Sequence, residues 1–183
     1  MLQTHQSAAS MVNAMIKTIS VSRIRNTALG DMYVAQSSKG LCRLDFGKVT
    51  ERSFLDRLAA RFGPEASFEM RSLPIVEAQL RGYLAGKVTS FSLEVDLGEL
   101  TAFQKQVLRQ TMKIPYGGTC SYGDIAARVG RPAAYRAVGN AVGANPVAIV
   151  IPCHRVIASD GSLGGYGGGL AAKKKLLALE GAL

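Results

Sequence analysis

The residue types best suited to covalent chemistry lie together in the hexapeptide at 151–156, Ile-Pro-Cys-His-Arg-Val. It sets a thiol beside an imidazole and a guanidinium. A thiolate is a strong nucleophile, and a free thiol with a pKa of about 8.5 needs a base such as histidine to supply it near neutral pH. The alternative is a buried cysteine that only packs as a small hydrophobic group. Taken alone, Cys153 fits either role.

The segment before Cys153 is expected to hold the thiol rigidly. Five apolar residues at 147–151 lead into it, and Pro152 fixes its own φ and favours an extended residue before it. The sequence therefore predicts a thiol at the end of a buried extended segment, where the chain turns. Because adjacent side chains of an extended segment point in opposite directions, a Cys153–His154 contact needs a turn at Pro152 or a bridging water.

The charge of the chain is uneven and indicates a polyanionic partner. The formal net charge is +9, and residues 101–183 hold 10 Lys and Arg against 3 Asp and Glu, whereas residues 1–100 hold 12 against 10. The more basic half carries the hexapeptide. Nucleic acid suits this distribution first and a membrane surface second, and a basic protein with neither partner is the alternative.

Cysteine and histidine usage indicates the compartment and argues against a metal. Three cysteines are too few for a disulfide scaffold, no basic-then-apolar signal begins the chain, and no apolar stretch reaches the roughly 20 residues of a membrane span. A cytoplasmic protein with free thiols and no membrane contact is expected. The two histidines, His5 and His154, have no partners at zinc-site spacing, so neither a metal nor another cofactor is expected.

The elements that must position the hexapeptide fall into two domains and a tail. We expect a flexible tail over 1–15, an N-terminal supporting α/β domain over 16–96, and a C-terminal DNA-binding and active-site domain over 97–183. Alternating apolar residues between glycine turns predict an antiparallel meander of three strands in the N-terminal domain. Two helices follow, the first ended by Gly63 and the second begun by Pro74.

The C-terminal domain contains the pattern of a helix-turn-helix. Ser121 and Asp124 have capping-box spacing, so a helix is expected between Ser121 and Gly130. Pro132 suits the first position of a second helix over 133–143. That helix offers mostly alanine and glycine, so it could lie close to a narrow groove without reading base edges. A plain buried helix is the alternative.

Glycine dominates the loop between the hexapeptide and the last helix. Six of the nine residues at 161–169 are glycine, so this loop is either flexible or closely approached by a ligand. The last helix is expected over 170–179. Many glycines would also leave a roomy pocket.

Several of these segments resemble the signature of the O6-alkylguanine-DNA alkyltransferases. The likeness is specific over about 101–181 and only architectural over about 16–96. The segments that carry it are Ser121-Tyr122, Arg-Ala-Val-Gly at 136–139, Asn145-Pro146, the hexapeptide, the Gly-Gly-Tyr-Gly-Gly-Gly-Leu loop ending at Leu170, and Leu-Leu-Ala-Leu-Glu-Gly at 176–181.

The resemblance implies both a fold and an activity. The fold is α+β, with a small antiparallel N-terminal sheet and helices that are ribonuclease H-like, and a mostly helical C-terminal domain with a winged helix-turn-helix. The activity is DNA repair by direct damage reversal, in which Cys153 irreversibly takes the alkyl group from O6-alkylguanine, and could also take one from O4-alkylthymine. The partner is double-stranded DNA with a flipped base, and the protein is a monomer that acts once.

The resemblance assigns catalytic roles to five residues. His154 activates Cys153 through a water, and Glu180 holds the imidazole in the manner of a catalytic triad. Asn145 orders the turn before the hexapeptide. Tyr122 helps to rotate the nucleotide and donates a hydrogen bond to the departing guanine. The non-catalytic alternatives are a solvated Glu180, an ordinary Asn-Pro turn at Asn145 and a core position for Tyr122. The arginine of the hexapeptide is expected to be structural.

The remaining assignments concern DNA and the alkyl pocket. Arg136 would fill the space left by the flipped base, or would only contact a phosphate. A backbone N–H near Gly167 could donate to O6. The other expected DNA contacts are Ala137, Gly139 and Ser121, and the other pocket residues are Pro152, Val156, Tyr166, Val147 and Ala148.

Three other functions are alternatives to alkyl transfer. A sensor that binds alkylated DNA without reacting would lack the cysteine, which this chain has. A cysteine hydrolase would need a distant histidine, and the only other one is His5. A sequence-specific helix-turn-helix regulator would need longer polar side chains on its recognition helix.

Overall fold

The computed structural model describes residues 17–183, so the expected tail over 1–15 lies outside the described residues. The strands are β1 (Lys17–Thr27), β2 (Gly30–Ser37), β3 (Gly40–Phe46), β4 (Ala66–Met70), β5 (Cys120–Ser121) and β6 (Val156–Ile157). A four-stranded sheet with order β3-β2-β1-β4 forms the N-terminal half. Strands β5 and β6 are short and pair in parallel in the C-terminal half.

Six α-helices and one short 3-10 helix complete the described chain. The bounds of α6 are those expected from the sequence, α2 begins with Pro74 at its first turn, and Ser121 caps α4 in a capping box with Asp124, as predicted. The helices are α1 (Glu51–Phe62), α2 (Pro74–Leu84), α3 (Ala102–Thr111), α4 (Tyr122–Arg128), α5 (Tyr135–Gly143), the 3-10 helix (Cys153–Arg155) and α6 (Leu170–Leu179).

The α+β fold class is confirmed, with one strand that the sequence pattern did not reveal. Strands β1, β2 and β3 form the expected antiparallel meander. Strand β4 adds to β1 in parallel, so the sheet is mixed. None of the five β4 residues is fully buried. An edge strand of this kind lacks the strong apolar alternation by which strands are found in a sequence.

The second helix of the helix-turn-helix begins later than predicted. Helix α5 starts at Tyr135, not at 133. The Ala134 N–H donates to the Arg131 carbonyl at 2.9 Å and closes a β-turn in which Pro132 is the second residue. Proline is favoured at that position because its fixed φ suits the turn, so it belongs to the turn and not to the helix.

The two halves of the chain share a hydrophobic core and a strand edge. One cluster of buried residues joins the sheet to the segment before the hexapeptide and to α6. On β3, the Leu44 N–H donates to the Pro146 carbonyl, and Leu41 exchanges backbone hydrogen bonds with Glu94 and Asp96. The connection at 87–99 and the active-site segment therefore both dock on β3, which fixes the hexapeptide against the sheet.

Candidate active site

A cavity of about 640 Å³ lies where the two halves meet, and Cys153 is on its wall. Its volume is that of a typical small-molecule site. The C-terminal half contributes most of the residues that were expected at the site, and the N-terminal half contributes a wall that was not expected. The lining residues include Tyr122, Arg136, Gly139, Asn145, Ala148, Tyr166 and Gly167 from the former, and Arg43, Asp45, Phe46 and Arg57 from the latter.

The backbone before Cys153 is buried as predicted, but it is not extended. Ile149 has a φ of 75°, and the Ile151 N–H donates to the Val147 carbonyl at 3.0 Å. The Cys153 N–H then donates to the Ile151 carbonyl at 2.7 Å across Pro152, which closes a second tight turn. The prediction of an extended segment is therefore wrong. The apolar run is enclosed on both sides, so its polar groups bond to one another and to Asn145.

Asn145 joins this turn to the thiol. Its side-chain amide donates to the Ile151 carbonyl at 2.9 Å and to Cys153 Sγ at 3.0 Å. Its side-chain oxygen accepts the Val147 N–H at 2.9 Å. From the sequence, Asn145 either orders the turn before the hexapeptide or belongs to an ordinary Asn-Pro turn. In the folded chain its side chain bonds both to the turn and to the thiol, which favours the first interpretation.

A buried network of side chains surrounds the imidazole of His154. Its Nε2 lies 2.9 Å from Glu180 Oε1 and 3.2 Å from the Tyr83 hydroxyl. That hydroxyl also donates to Glu180 Oε1. Arg155 donates from Nε and Nη2 to the two oxygens of Glu180, each at 2.9 Å, and the Gly117 N–H donates to Oε2 at 3.3 Å.

The protonation states in this network follow from burial and hydrogen bonds. Burial by itself would raise the pKa of the Glu180 carboxyl, but hydrogen bonds from His154, Arg155 and Tyr83 outweigh it and lower the pKa to about 2. Burial lowers the pKa of His154, which outweighs the opposing effect of Glu180. Near neutral pH the pair is thus a carboxylate and a neutral imidazole whose Nε2–H donates to it.

The other imidazole nitrogen is suited to act as a base. His154 Nδ1 is buried and has no hydrogen-bond partner among the residues that the structure describes. With the proton on Nε2, Nδ1 carries a lone pair. A water between Nδ1 and Cys153 would complete the relay that the family resemblance implies.

Burial favours the neutral form of the Cys153 thiol. Burial raises the pKa of the Cys153 thiol, while the Asn145 amide and the charge of Lys173 oppose that effect. Desolvation prevails. A thiolate at this position would therefore need a base to remove the thiol proton.

Lys173 ties the glycine loop to the hexapeptide. It is fully buried on α6, and its Nζ donates to the carbonyls of Val156 at 2.6 Å, of Leu163, and of Gly165 at 3.5 Å. The loop also packs closely on the N-terminal half: a side chain at Gly168 would come within 2.7 Å of the Phe46 ring. The loop is thus ordered by contacts on both sides.

Helix α5 of the helix-turn-helix lies beside the cavity, and most of its side chains are small. Arg136 and Ala137 are exposed on α5, and the Arg136 guanidinium lies 5.7 Å from the centre of the Tyr135 ring. Tyr122 is half-buried at the start of α4, where burial raises the pKa of its hydroxyl. The Ser121 hydroxyl accepts the Asp124 N–H and donates to the Asp124 carboxylate, so both of its hydrogen bonds are used in capping α4.

Three expected pocket residues lie in the core around the cavity and not on its lining. Val147 and Val156 are fully buried, each in a different hydrophobic cluster. Pro152 is buried within the turn that aims Cys153. These residues support the wall that Ala148 and Tyr166 present.

Across residues 17–183, no three His, Cys, Asp or Glu side chains lie close enough together to hold a metal ion. No helix within that range is long and apolar enough to span a bilayer.

Sequence reasoning missed the contribution of the N-terminal half. Tyr83 fits the apolar side of α2, so its polar contact with a residue 97 positions away gave no local signal. On the cavity wall, Asp45 accepts from Arg43 at 2.9 Å and from Arg57 at 2.7 Å. Arg155 was expected to be structural, and it forms two hydrogen bonds with the Glu180 carboxylate.

Comparison with known proteins identifies both halves of the chain. Residues 21–97 match the family model of the 6-O-methylguanine DNA methyltransferase ribonuclease-like domain, and residues 102–182 match that of the DNA binding domain. The crystal structure of Mycobacterium tuberculosis OGT in complex with DNA has a TM-score of 0.75 at 38% identity, covering 89% of this chain and 93% of that chain.

Two relatives in particular support the same family. A methylated-DNA–protein-cysteine methyltransferase of Mycolicibacterium paratuberculosis is 57% identical over 102 residues, and this alignment spans 61% of that protein and 56% of this chain. The Methanosarcina barkeri protein of the same name is 43% identical over 157 residues, which are 94% of its length and 86% of this chain. With both domain models matched and one relative aligned over nearly its full length, the chain belongs to the 6-O-methylguanine DNA methyltransferase family.

Proposed function

We propose that the protein repairs DNA by direct reversal, moving the alkyl group of O6-alkylguanine in a duplex irreversibly to Cys153. The observation that carries this proposal is a thiol on the wall of a cavity, beside a neutral imidazole that a buried carboxylate orients. The names of the relatives support the same transfer. Each molecule acts once, because the product is an S-alkylated Cys153 whose carbon–sulfur bond does not hydrolyse back to a thiol.

The transfer is a displacement at the alkyl carbon. The thiol proton passes through a water to His154 Nδ1, and Glu180 stabilises the imidazolium that forms. The sulfur then forms a bond to the alkyl carbon as the bond from that carbon to O6 breaks. The electron pair stays on guanine, which leaves as an anion, and the Tyr122 hydroxyl donates a hydrogen bond to it. A backbone N–H near Gly167 could stabilise O6.

The target base must leave the stack to reach Cys153, since its O6 atom is enclosed in the duplex. The small face of α5 suits close approach to a narrow groove. Arg136 is exposed on that face and lines the cavity, so it can occupy the space of the flipped nucleotide. Ala137 and Gly139 permit the approach, and Ser121 shapes the start of α4.

We further infer that residues 97–183 form the DNA-binding and active-site domain, and that residues 16–96 form a supporting domain that also walls the cavity. The protein works as a cytoplasmic monomer without a cofactor. Free Cys42, Cys120 and Cys153 support a reducing compartment. O4-alkylthymine is a second substrate if the cavity also accepts the edge of that base. Competition between a duplex with O6-alkylguanine and a duplex with O4-alkylthymine tests this.

The experiment that tests the proposal is a stoichiometry assay. A duplex with one O6-methylguanine is incubated with increasing protein, and the remaining modified nucleoside is quantified. We expect one lesion repaired for each protein molecule, and none with Cys153→Ser. Repair that continues beyond one equivalent would show turnover, and binding without repair by the wild type would show a sensor.

A further inference from the structure

The Tyr83 hydroxyl reaches from the N-terminal half into the imidazole network. Tyr83 lies on α2 and is fully buried. Its hydroxyl donates to Glu180 Oε1 and lies 3.2 Å from His154 Nε2. It thus contacts both the residue expected to act as base and the residue that orients this base.

The packing of the Tyr83 ring leaves its hydroxyl little freedom. The ring centre lies 5.2 Å from that of Phe91 and 6.0 Å from that of Tyr116, the latter in an edge-on arrangement. Burial, followed by the hydrogen bond to Glu180, raises the pKa of the phenol well above its ordinary value, so the hydroxyl keeps its proton. It is therefore a fixed neutral donor to the carboxylate.

This donor has a consequence for the imidazole. The phenol proton points to Glu180, so the phenol oxygen can only accept from His154, and Glu180 Oε1 can only accept as well. Both neighbours of Nε2 therefore favour a proton on that nitrogen. The lone pair is then confined to Nδ1, the nitrogen that would accept the thiol proton.

We propose that Tyr83 is a positioning residue through which the N-terminal half holds His154 in the Nε2–H tautomer and so sets the rate of alkyl transfer. This inference rests on the proposed function for its kinetic part. Its structural part, the tautomer, stands without it. The N-terminal half then contributes to the reaction and not only to the stability of the site.

The chain offers a matched control for removal of this hydroxyl. Tyr116 packs against Tyr83, and its hydroxyl donates to the Leu179 carbonyl at 3.0 Å and not to the network. Tyr83→Phe and Tyr116→Phe each delete one phenol oxygen from the same interface. A general loss of packing would affect both variants alike.

The first readout separates transfer from binding. Single-turnover kinetics on a methylated duplex give the rate constant at saturating DNA and the DNA concentration at half-saturation. We expect Tyr83→Phe to lower the rate constant about tenfold, since it removes a hydrogen bond to a charged group, with half-saturation within about twofold of wild type. Tyr116→Phe is expected to match wild type in both. Equal rate constants for the two variants overturn the kinetic part.

The second readout does not depend on activity. Long-range ¹H–¹⁵N spectra of ¹⁵N-histidine-labelled protein report which ring nitrogen carries the proton, and His5→Gln assigns the His154 signals. We expect the Nε2–H form in wild type and in Tyr116→Phe, and a mixture of forms in Tyr83→Phe. A wild-type proton on Nδ1 overturns the inference, whether or not Tyr83→Phe folds. A correct tautomer without any transfer would instead count against the proposed function.

Discussion

At the scale of single residues, hydrogen bonds and burial decide which groups of the site are charged. Glu180 remains ionised because three side chains donate to it, and Arg155 supplies the compensating charge. His154 remains neutral because burial disfavours its cation. The Cys153 thiol remains protonated for the same reason. Burial therefore favours the neutral forms of both the Cys153 thiol and the His154 imidazole, which are the forms that the proposed transfer starts from.

Removal of the Glu180 charge tests this arrangement. Glu180→Gln leaves Arg155 buried without its counter-ion, so we expect the free energy of unfolding to fall by about 3 kcal/mol and the transfer rate by about a hundredfold. Urea denaturation and single-turnover kinetics measure the two effects. Glu77→Gln is the control: its partner Arg81 is exposed, so less than about 1 kcal/mol is expected. Similar losses for the two variants would contradict the account.

The same carboxylate predicts a dependence of stability on pH. Its pKa is lowered from 4.5 to about 2 in the folded protein, so its contribution is complete above about pH 5 and is lost as the pH falls toward 2. We expect the stability gap between wild type and Glu180→Gln to shrink by about 3 kcal/mol over that window. A gap that stays constant while both proteins remain folded would show that Glu180 is not held as a carboxylate.

What the sequence predicts at this scale depends on whether a contact is local. The hexapeptide itself indicates Cys153 and His154, because their types and adjacency suggest a nucleophile and a base. Glu180 was expected only from the family resemblance, because it is far along the chain. Tyr83 has a residue type and a spacing that fit a core position equally well, so only the folded chain distinguishes the two.

At the scale of elements, tight turns and a closely packed loop aim the thiol. The turns at 145–153 bond to Asn145 and dock on β3, which holds the hexapeptide from one side. In the glycine loop, the Leu163 and Gly165 carbonyls accept hydrogen bonds from Lys173, and Gly168 packs against the Phe46 ring of the N-terminal half. Gly168 is required because the Phe46 and Tyr166 rings leave no room for a side chain, and not because of its backbone conformation.

A pair of adjacent glycines tests the packing of this loop. A methyl group at Gly168 would come within 2.7 Å of the Phe46 ring and 2.9 Å of the Tyr166 ring, whereas at Gly167 nothing lies within 4 Å. We expect Gly168→Ala to cost about 1–3 kcal/mol of unfolding free energy. Gly167→Ala is expected to change it by less than about 1 kcal/mol. Thermal denaturation distinguishes them, and equal effects would contradict the described loop.

The elements were predictable where a capping or turn signal marks them. Ser121 with Asp124, and Pro74 at a helix start, set the beginnings of α4 and α2 correctly. Strand β4 was missed because its residues are partly exposed at a sheet edge. The turns before Cys153 were missed because a short apolar run indicates burial but does not distinguish an extended chain from a folded one.

At the scale of the whole molecule, the cavity is shared between two domains and opens beside a basic helix-turn-helix. Arg136 projects from α5 on the cavity wall, and Arg43 and Arg57 lie on the wall from the N-terminal half. The basic C-terminal half thus faces two arginines of the N-terminal half, which share one carboxylate, Asp45, on the cavity wall. No sequence pattern indicated which of these would meet.

Substitution of Arg136 distinguishes insertion into the duplex from a phosphate contact. Arg136→Lys keeps the charge but loses the planar group that can replace a base in the stack. If Arg136 inserts, Arg136→Lys and Arg136→Ala both slow transfer from a duplex by about tenfold, while transfer from a single strand changes little. If it only contacts a phosphate, Arg136→Lys retains the wild-type rate. Single-turnover kinetics on the two substrates make the comparison.

The site of alkylation tests directly whether Cys153 accepts the alkyl group. The protein is incubated with excess O6-methylguanine duplex, and its intact mass and digested peptides are analysed. We expect one added methyl group, located on Cys153, with Cys42 and Cys120 unmodified as internal controls, and no addition to Cys153→Ser. A methyl group on another residue, or repair of the lesion with no mass change, would contradict it.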